Sequence, residues 1–148
     1  MKIPVKYMKI SGGGLVFLAL LEGFSGGAYR DTVGVWTLGF GETKGVTATS
    51  TTTPPKAMRR LVVSVDDEHG RGMQKCMGDV ELEQHQYDAF LSFTYNVGVA
   101  GFCSSVTRQL LNEGKVIEAC NAMMGWLKPR EIIGRRQKEV KLCLEGYV

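Results

Sequence analysis

Histidine is almost missing from this chain, with only His69 and His85 among 148 residues. There is no H-E-x-x-H, and the four cysteines, Cys76, Cys103, Cys120 and Cys143, are spaced by 27, 17 and 23 residues without a C-x-x-C pair. Zinc-ligand spacing is therefore absent, and neither a metal nor another cofactor is expected. Long apolar runs are missing too. The longest, Leu15 to Leu21, is seven residues, well short of the ~20 needed for a membrane-spanning helix. Lys2, Lys6 and Lys9 ahead of that run imitate a secretory signal, but Gly12, Gly13 and Gly14 interrupt the join. No clear small-residue cleavage site follows before Glu22, so no convincing signal peptide and no stable membrane insertion are expected. Nor does one sign of charge dominate: 18 bases against 15 acids leave +3, far less than a dedicated nucleic-acid binder carries. Nucleic acid is not an expected partner.

What remains is a chain of one-domain length, 44% apolar and 22% charged, which excludes a disordered polymer, a collagen-like fibre and a disulfide-scaffold miniprotein. Its 19 glycines exceed the usual share, and ten of them lie between Gly12 and Gly45. Charge is also uneven. Seven acids fall in residues 66–88 and six bases in residues 128–141. Two basic ends could meet an anionic polymer, or these could be ordinary solvated faces.

Ile10 to Phe24 reads as a helix apolar around most of its circumference, hence buried, stopping at Gly23 to Gly27. Val33 to Gly41 is β-branched and aromatic with glycine punctuation, which suits a short hairpin or small sheet. A polar threonine-rich loop follows, then Thr53-Pro54-Pro55 as a helix start. Met58, Leu61, Val62 and Val65 give that helix one apolar face, with Gly70 and Gly72 expected to end or fray it. Glu83 to Val97 is apolar on nearly all sides and belongs in the middle of a domain. Further helices are expected at Ser105 to Leu111, Lys115 to Trp126 and Ile132 to Leu144. No repeat or hinge linker interrupts this order, so the class is α+β in one unit.

Glu22 falls near the C-terminus of its helix, where the dipole opposes a negative charge. That local rule-breaking points to function, and apolar surroundings with the dipole would raise the carboxyl's pKa towards that of a general acid. Nine residues on comes Asp31, at the edge of the expected β unit, and six later Thr37. Two carboxyls flanking a bond, one protonated and one ionised, are the equipment of glycoside hydrolysis. Gly39 to Gly45 lacks the spacing of a phosphate-binding loop.

Glu22-Gly23-Phe24, Ala28-Tyr29-Arg30-Asp31 and Gly34-Val35-Trp36-Thr37-Leu38-Gly39-Phe40-Gly41-Glu42-Thr43 closely resemble the signature of phage-type lysozymes, or endolysins, of glycoside hydrolase family 24. Gln84 to Phe90, Phe93 to Gly98, Gly101 to Ser105 and Gly134 to Glu139 extend the resemblance from about Ser11 to Leu144. It implies a lysozyme-like fold: a small β-containing lobe (about 11–54), a long connecting helix (about 55–72) and a larger helical lobe (about 73–148), with a cleft between the lobes. It also implies an inverting muramidase that cleaves the β-1,4 bond between N-acetylmuramic acid and N-acetylglucosamine. Glu22 would be the general acid, Asp31 would position or activate water, and Thr37 would assist. Arg136 resembles an arginine that faces the catalytic glutamate from the opposite lobe and would lower its pKa.

Related endolysins imply Cys76 with Cys103 and Cys120 with Cys143 as disulfides, consistent with action outside the cytoplasm. The same resemblance implies a monomer made in the host cytoplasm that acts on peptidoglycan in the periplasm or outside the cell. Residues 127–133 depart from the family's glycine-rich stretch before the arginine pair, and Gly70, Arg71 and Gly72 interrupt a usually smooth helix. Three other readings compete. They are a lytic transglycosylase on the same substrate, a non-catalytic wall-binding module, and membrane disruption by the basic stretch Lys128 to Lys141. For the last, Ile132, Ile133, Val140 and Leu144 read more economically as a packing face.

Overall fold

The basic lead is part of the fold. In the computed structural model, which describes residues 1–128 and 130–147 with the side chain of Glu131 left aside, Ile3–Pro4 (β1) pairs antiparallel with Glu81–Leu82 (β4). This pairing buries Val5 completely. The Leu127 to Ile133 stretch therefore lies partly outside the description.

Gly12–Glu22 forms α1, capped by Ser11, whose Oγ accepts from the Gly14 N–H at 2.9 Å. Ser11 in turn donates through its N–H and hydroxyl to Asp88. A Cβ on Gly14 would come within 2.5 Å of Asp88 Cγ, so a residue without a side chain lets helix and carboxylate meet. The expectation that α1 is buried all round fails. Leu18 and Ala19 are buried, but Val16 and Leu20 are 56% and 79% exposed. The core covers only one side of this helix, whatever its composition.

After Gly23, Ser25–Arg30 (β2) pairs antiparallel with Trp36–Gly39 (β3), in register Arg30 with Trp36, Tyr29 with Thr37 and Ser25 with Gly39. The hairpin thus takes its first strand from the glycine-rich segment read in sequence as a helix stop. Residues 54–77 then run as one helical rod: Pro54–Val63 (α2), a wider π turn over Ser64–Gly70, and Arg71–Met77 (α3). Thr53 stands at its N-cap position without a side-chain cap bond. Gly70 and Gly72 neither end nor fray it. Cβ atoms there would lie 3.0 Å from the Val65 carbonyl and 2.7 Å from Val99 Cγ1, so both glycines serve close packing that propensity alone does not reveal.

Gln84–Val97 (α4) is the buried axis, with every residue from Gln86 to Thr94 inside. Tyr87 packs at its centre and accepts from Gln74 Nε2 at 2.8 Å, and burial pushes its phenol up to about 12. Val99–Cys103 (α5) and Ile133–Glu145 (α8) pack on that axis, while Val106–Asn112 (α6) packs on α3, α5 and Val116–Ala122 (α7), which in turn packs on α8. Within α8, Arg136, Glu139, Leu142 and Cys143 face inward, while Leu144, expected on the packing face, is 39% exposed. Disulfides join Cys76 to Cys103 and Cys120 to Cys143, tying α3 to α5 and α7 to α8. By loop entropy alone each stabilises the fold by about 3.5 kcal/mol. Among the described residues no helix is long and apolar enough to cross a membrane.

Candidate active site

Glu22 is the last residue of α1, released by Gly23 with φ 71°. Its carboxylate is gripped from both sides. One oxygen, Oε2, is paired with the Arg135 guanidinium of α8. The other, Oε1, lies so close to Gly41 that a Cβ there would stand 2.6 Å away; Gly41 also has φ 82°. Only glycine satisfies both demands.

Arg135 is itself fixed. Its Nε donates to Glu139 Oε2 at 3.2 Å and its Nη2 to the Ser92 carbonyl at 3.0 Å. Glu139 is wholly buried, receives Ser92 Oγ–H at 2.5 Å and pairs also with Arg136. Burial works against the charge of both arginines. At Arg135 the flanking Glu22 and Glu139 outweigh it and raise the pKa; at Arg136, with Glu139 and a neighbouring cation, burial wins and lowers it.

The arginine facing Glu22 is thus Arg135, which corrects the expectation for Arg136. Arg136 is 1% exposed, donates to the Trp126 carbonyl at 3.0 Å and to Asn96 Oδ1 at 2.7 Å, and lies over the Phe93 ring at 4.8 Å. One step along a helix turns a side chain by roughly 100°. Adjacent arginines therefore point into different surroundings, and the sequence does not say which is which.

Asp31 and Thr37 lie on the hairpin. Asp31 Oδ1 accepts from the N–H groups of Val33 at 3.0 Å and Val35 at 2.8 Å, bracing the turn from within. Thr37 is buried, and its hydroxyl donates to the Val35 carbonyl at 2.9 Å. Glu22 opens instead on a polar cavity of about 450 Å³ that Gly41, Glu42, Glu68, His69, Tyr95 and Asn96 help to line. Neither Asp31 nor Thr37 is among the lining residues.

Several of these lining side chains escape the sequence reading. Tyr95 looks like core on a buried helix, yet its hydroxyl donates to the Phe40 carbonyl at 3.1 Å, joining α4 to the loop that carries Gly41. Burial, and then the nearby Glu22 and Glu42, push its phenol up, so it stays a neutral donor. Glu42 accepts from the Lys44 N–H at 3.3 Å, and Glu68 pairs with Lys44 at 3.3 Å. The only advance signal for Glu68 and His69 is the acidic run in which they sit. Among the described residues no cluster of His, Cys, Asp and Glu is placed to hold a metal.

The family model described as phage lysozyme matches residues 19–139. The chain belongs to the phage lysozyme family. That match starts three residues before Glu22 and ends on Glu139, so it contains every part of the site just described. An endolysin of Salmonella phage P22 is 32% identical over 146 residues, covering 93% of this chain and 99% of its own. Another, from Acyrthosiphon pisum secondary endosymbiont phage 1, is 31% identical and covers 91% and 97%. In structure, the muramidase domain of SpmX from Asticaccaulis excentricus superposes with a TM-score of 0.84 at 28% identity, over 92% of this chain and 97% of that one.

Proposed function

We propose that this phage lysozyme is a muramidase that hydrolyses the β-1,4 bond between N-acetylmuramic acid and N-acetylglucosamine in the bacterial wall, with Glu22 as the general acid. The observation that carries the reading is the grip on Glu22 at the mouth of a polar cavity, between Arg135 and Gly41. Such pre-positioning is what proton transfer to a bound glycosidic oxygen requires. Protonating Glu22 removes one partner of Arg135 but leaves Glu139 in place, so the guanidinium is never stranded.

In the hydrolytic step Glu22 gives its proton to the glycosidic oxygen as the bond from C1 breaks. Water attacks C1 from the opposite face and passes a proton to Asp31. The hairpin turn supports that second role, because it holds Asp31 through Oδ1 alone. Among the described residues no protein group bonds Oδ2, which leaves it for water. Thr37 assists from the adjacent strand by holding the turn through the Val35 carbonyl. The product then has the inverted anomeric configuration. Action is on the wall, after synthesis in the host cytoplasm, by a monomer.

One observation favours a second reading: Asp31 does not line the cavity of Glu22. A lytic transglycosylase needs one acid/base and no activated water. Muropeptides released by the wild type and by Glu22→Gln decide between them. Reducible ends, lost in Glu22→Gln, are the expected result. Anhydromuramic ends would establish the transglycosylase, and undiminished release by a folded Glu22→Gln would remove Glu22 from the chemistry.

A further inference from the structure

The π turn at Ser64–Gly70 has a local consequence for the cavity. Its five-residue hydrogen-bond step keeps His69 on the same side of the rod as Ser64, where a 3.6-residue turn would carry it away. Both residues line the cavity that holds Glu22. The His69 ring is pinned twice. Its Nδ1 lies 2.9 Å from the Ser64 carbonyl, and the ring packs on Tyr95 at a tilt of 49° with centroids 4.8 Å apart.

A carbonyl oxygen can only accept, so Nδ1 carries the hydrogen. In the neutral ring this leaves a lone pair on Nε2. Among the described residues no protein group bonds that nitrogen. The ring is half-buried, and the tyrosine it packs against is anchored through the Phe40 carbonyl. In its neutral form the ring is a rigid acceptor in the cavity, alongside the carboxylates of Glu42 and Glu68, the latter paired with Lys44. With Lys44 paired to Glu68 and the Tyr95 hydroxyl donating to the Phe40 carbonyl, Nε2 is left to accept from a neutral donor, and amino-sugar hydroxyl and acetamido N–H groups are such donors.

We infer that His69 is a substrate-binding residue whose Nε2 accepts a hydrogen bond from a hydroxyl or acetamido N–H of the glycan strand. This inference rests on the proposal that the Glu22 cavity receives peptidoglycan.

The test uses soluble peptidoglycan fragments and the full chain carrying Glu22→Gln, so that binding is measured without turnover. His69→Asn can still donate to the Ser64 carbonyl but lacks the reach of Nε2. His69→Gln reaches as far as Nε2. Loss of one neutral hydrogen bond is expected to weaken binding about five-fold in His69→Asn, with His69→Gln restoring most of it. Equal affinity in all three, or normal binding by Asn with loss by Gln, overturns the inference, the latter assigning the ring to the Ser64 bond alone. Wild-type turnover in the Glu22→Gln background would instead sink the catalytic reading, and shows itself separately as released sugars.

Discussion

The two carboxyls proposed to share the hydrolysis are held in opposite ways. Glu22 depends on residues far away in sequence: Arg135 lies 113 positions on and is braced by Ser92 and Glu139. Asp31 depends on its own turn, through N–H groups two and four residues on. A tertiary grip fixes a side chain against the opposite side of a cleft, and it can be lost by damage at any of several distant points. A local grip survives such damage but positions its residue only relative to its own hairpin. The proposed general acid, whose proton would have to meet one bound oxygen, has the tertiary grip.

The sharpest test of this contrast is chemical. Glu22→Gln and Asp31→Asn are each expected to lower the release of reducing ends by about 10²- to 10⁴-fold, the usual contribution of a general acid or base. Survival of activity in Asp31→Asn alone would put the water-activating role elsewhere.

Next in size is the distant damage. Glu139→Gln leaves two inward guanidiniums with one fewer carboxylate, and breaking such a buried pairing costs about 3–5 kcal/mol. For a chain of this length the thermal midpoint should fall by roughly 10 °C. Lysis should fall with it, because Arg135 loses its brace. A midpoint within a degree or two of wild type would show that the buried network does not hold Glu22.

Gly41→Ala probes the near side of the same grip. The added methyl would press on Glu22 Oε1 in a backbone conformation that disfavours it. A displacement of an ångström costs up to about 100-fold in rate, so kcat should drop by ten-fold or more while the far-UV spectrum is unchanged. Unaltered kcat would mean that the loop yields rather than the acid.

The smallest effect belongs to the local side. Asp31→Ala should be about 1 kcal/mol less stable than Asp31→Asn, because asparagine keeps an oxygen for the Val33 and Val35 N–H groups and alanine does not. Denaturant midpoints of the two variants measure it. Equal midpoints would mean that the turn stands without its brace.

Legibility in the sequence follows the same division. The turn at Asp31 and the helix end at Glu22 can be read along the chain, since aspartate and glycine act on neighbours within a few residues. The choice between Arg135 and Arg136 cannot, because it depends on the rotation of α8 against α4. Gly70 and Gly72 mislead for a related reason: their helix cost is local, but what they permit is contact with Val99 and close packing beside Tyr87. The helices α1 and α4 look alike as apolar segments. One surrounds itself with core, and the other leaves Leu20 in solvent.

By itself, then, the sequence determined what short-range physics controls: the α+β order of elements, the glycine turns around Glu22 and Asp31, and the residue spacing that marks a lysozyme signature. Tertiary structure alone decided which arginine meets Glu22, that Glu139 underlies both arginines, and that a π turn brings His69 to the cavity. Those outcomes depend on the relative rotation and depth of packed helices. A one-residue change in phase moves a side chain by about 100° while leaving composition and periodicity unchanged.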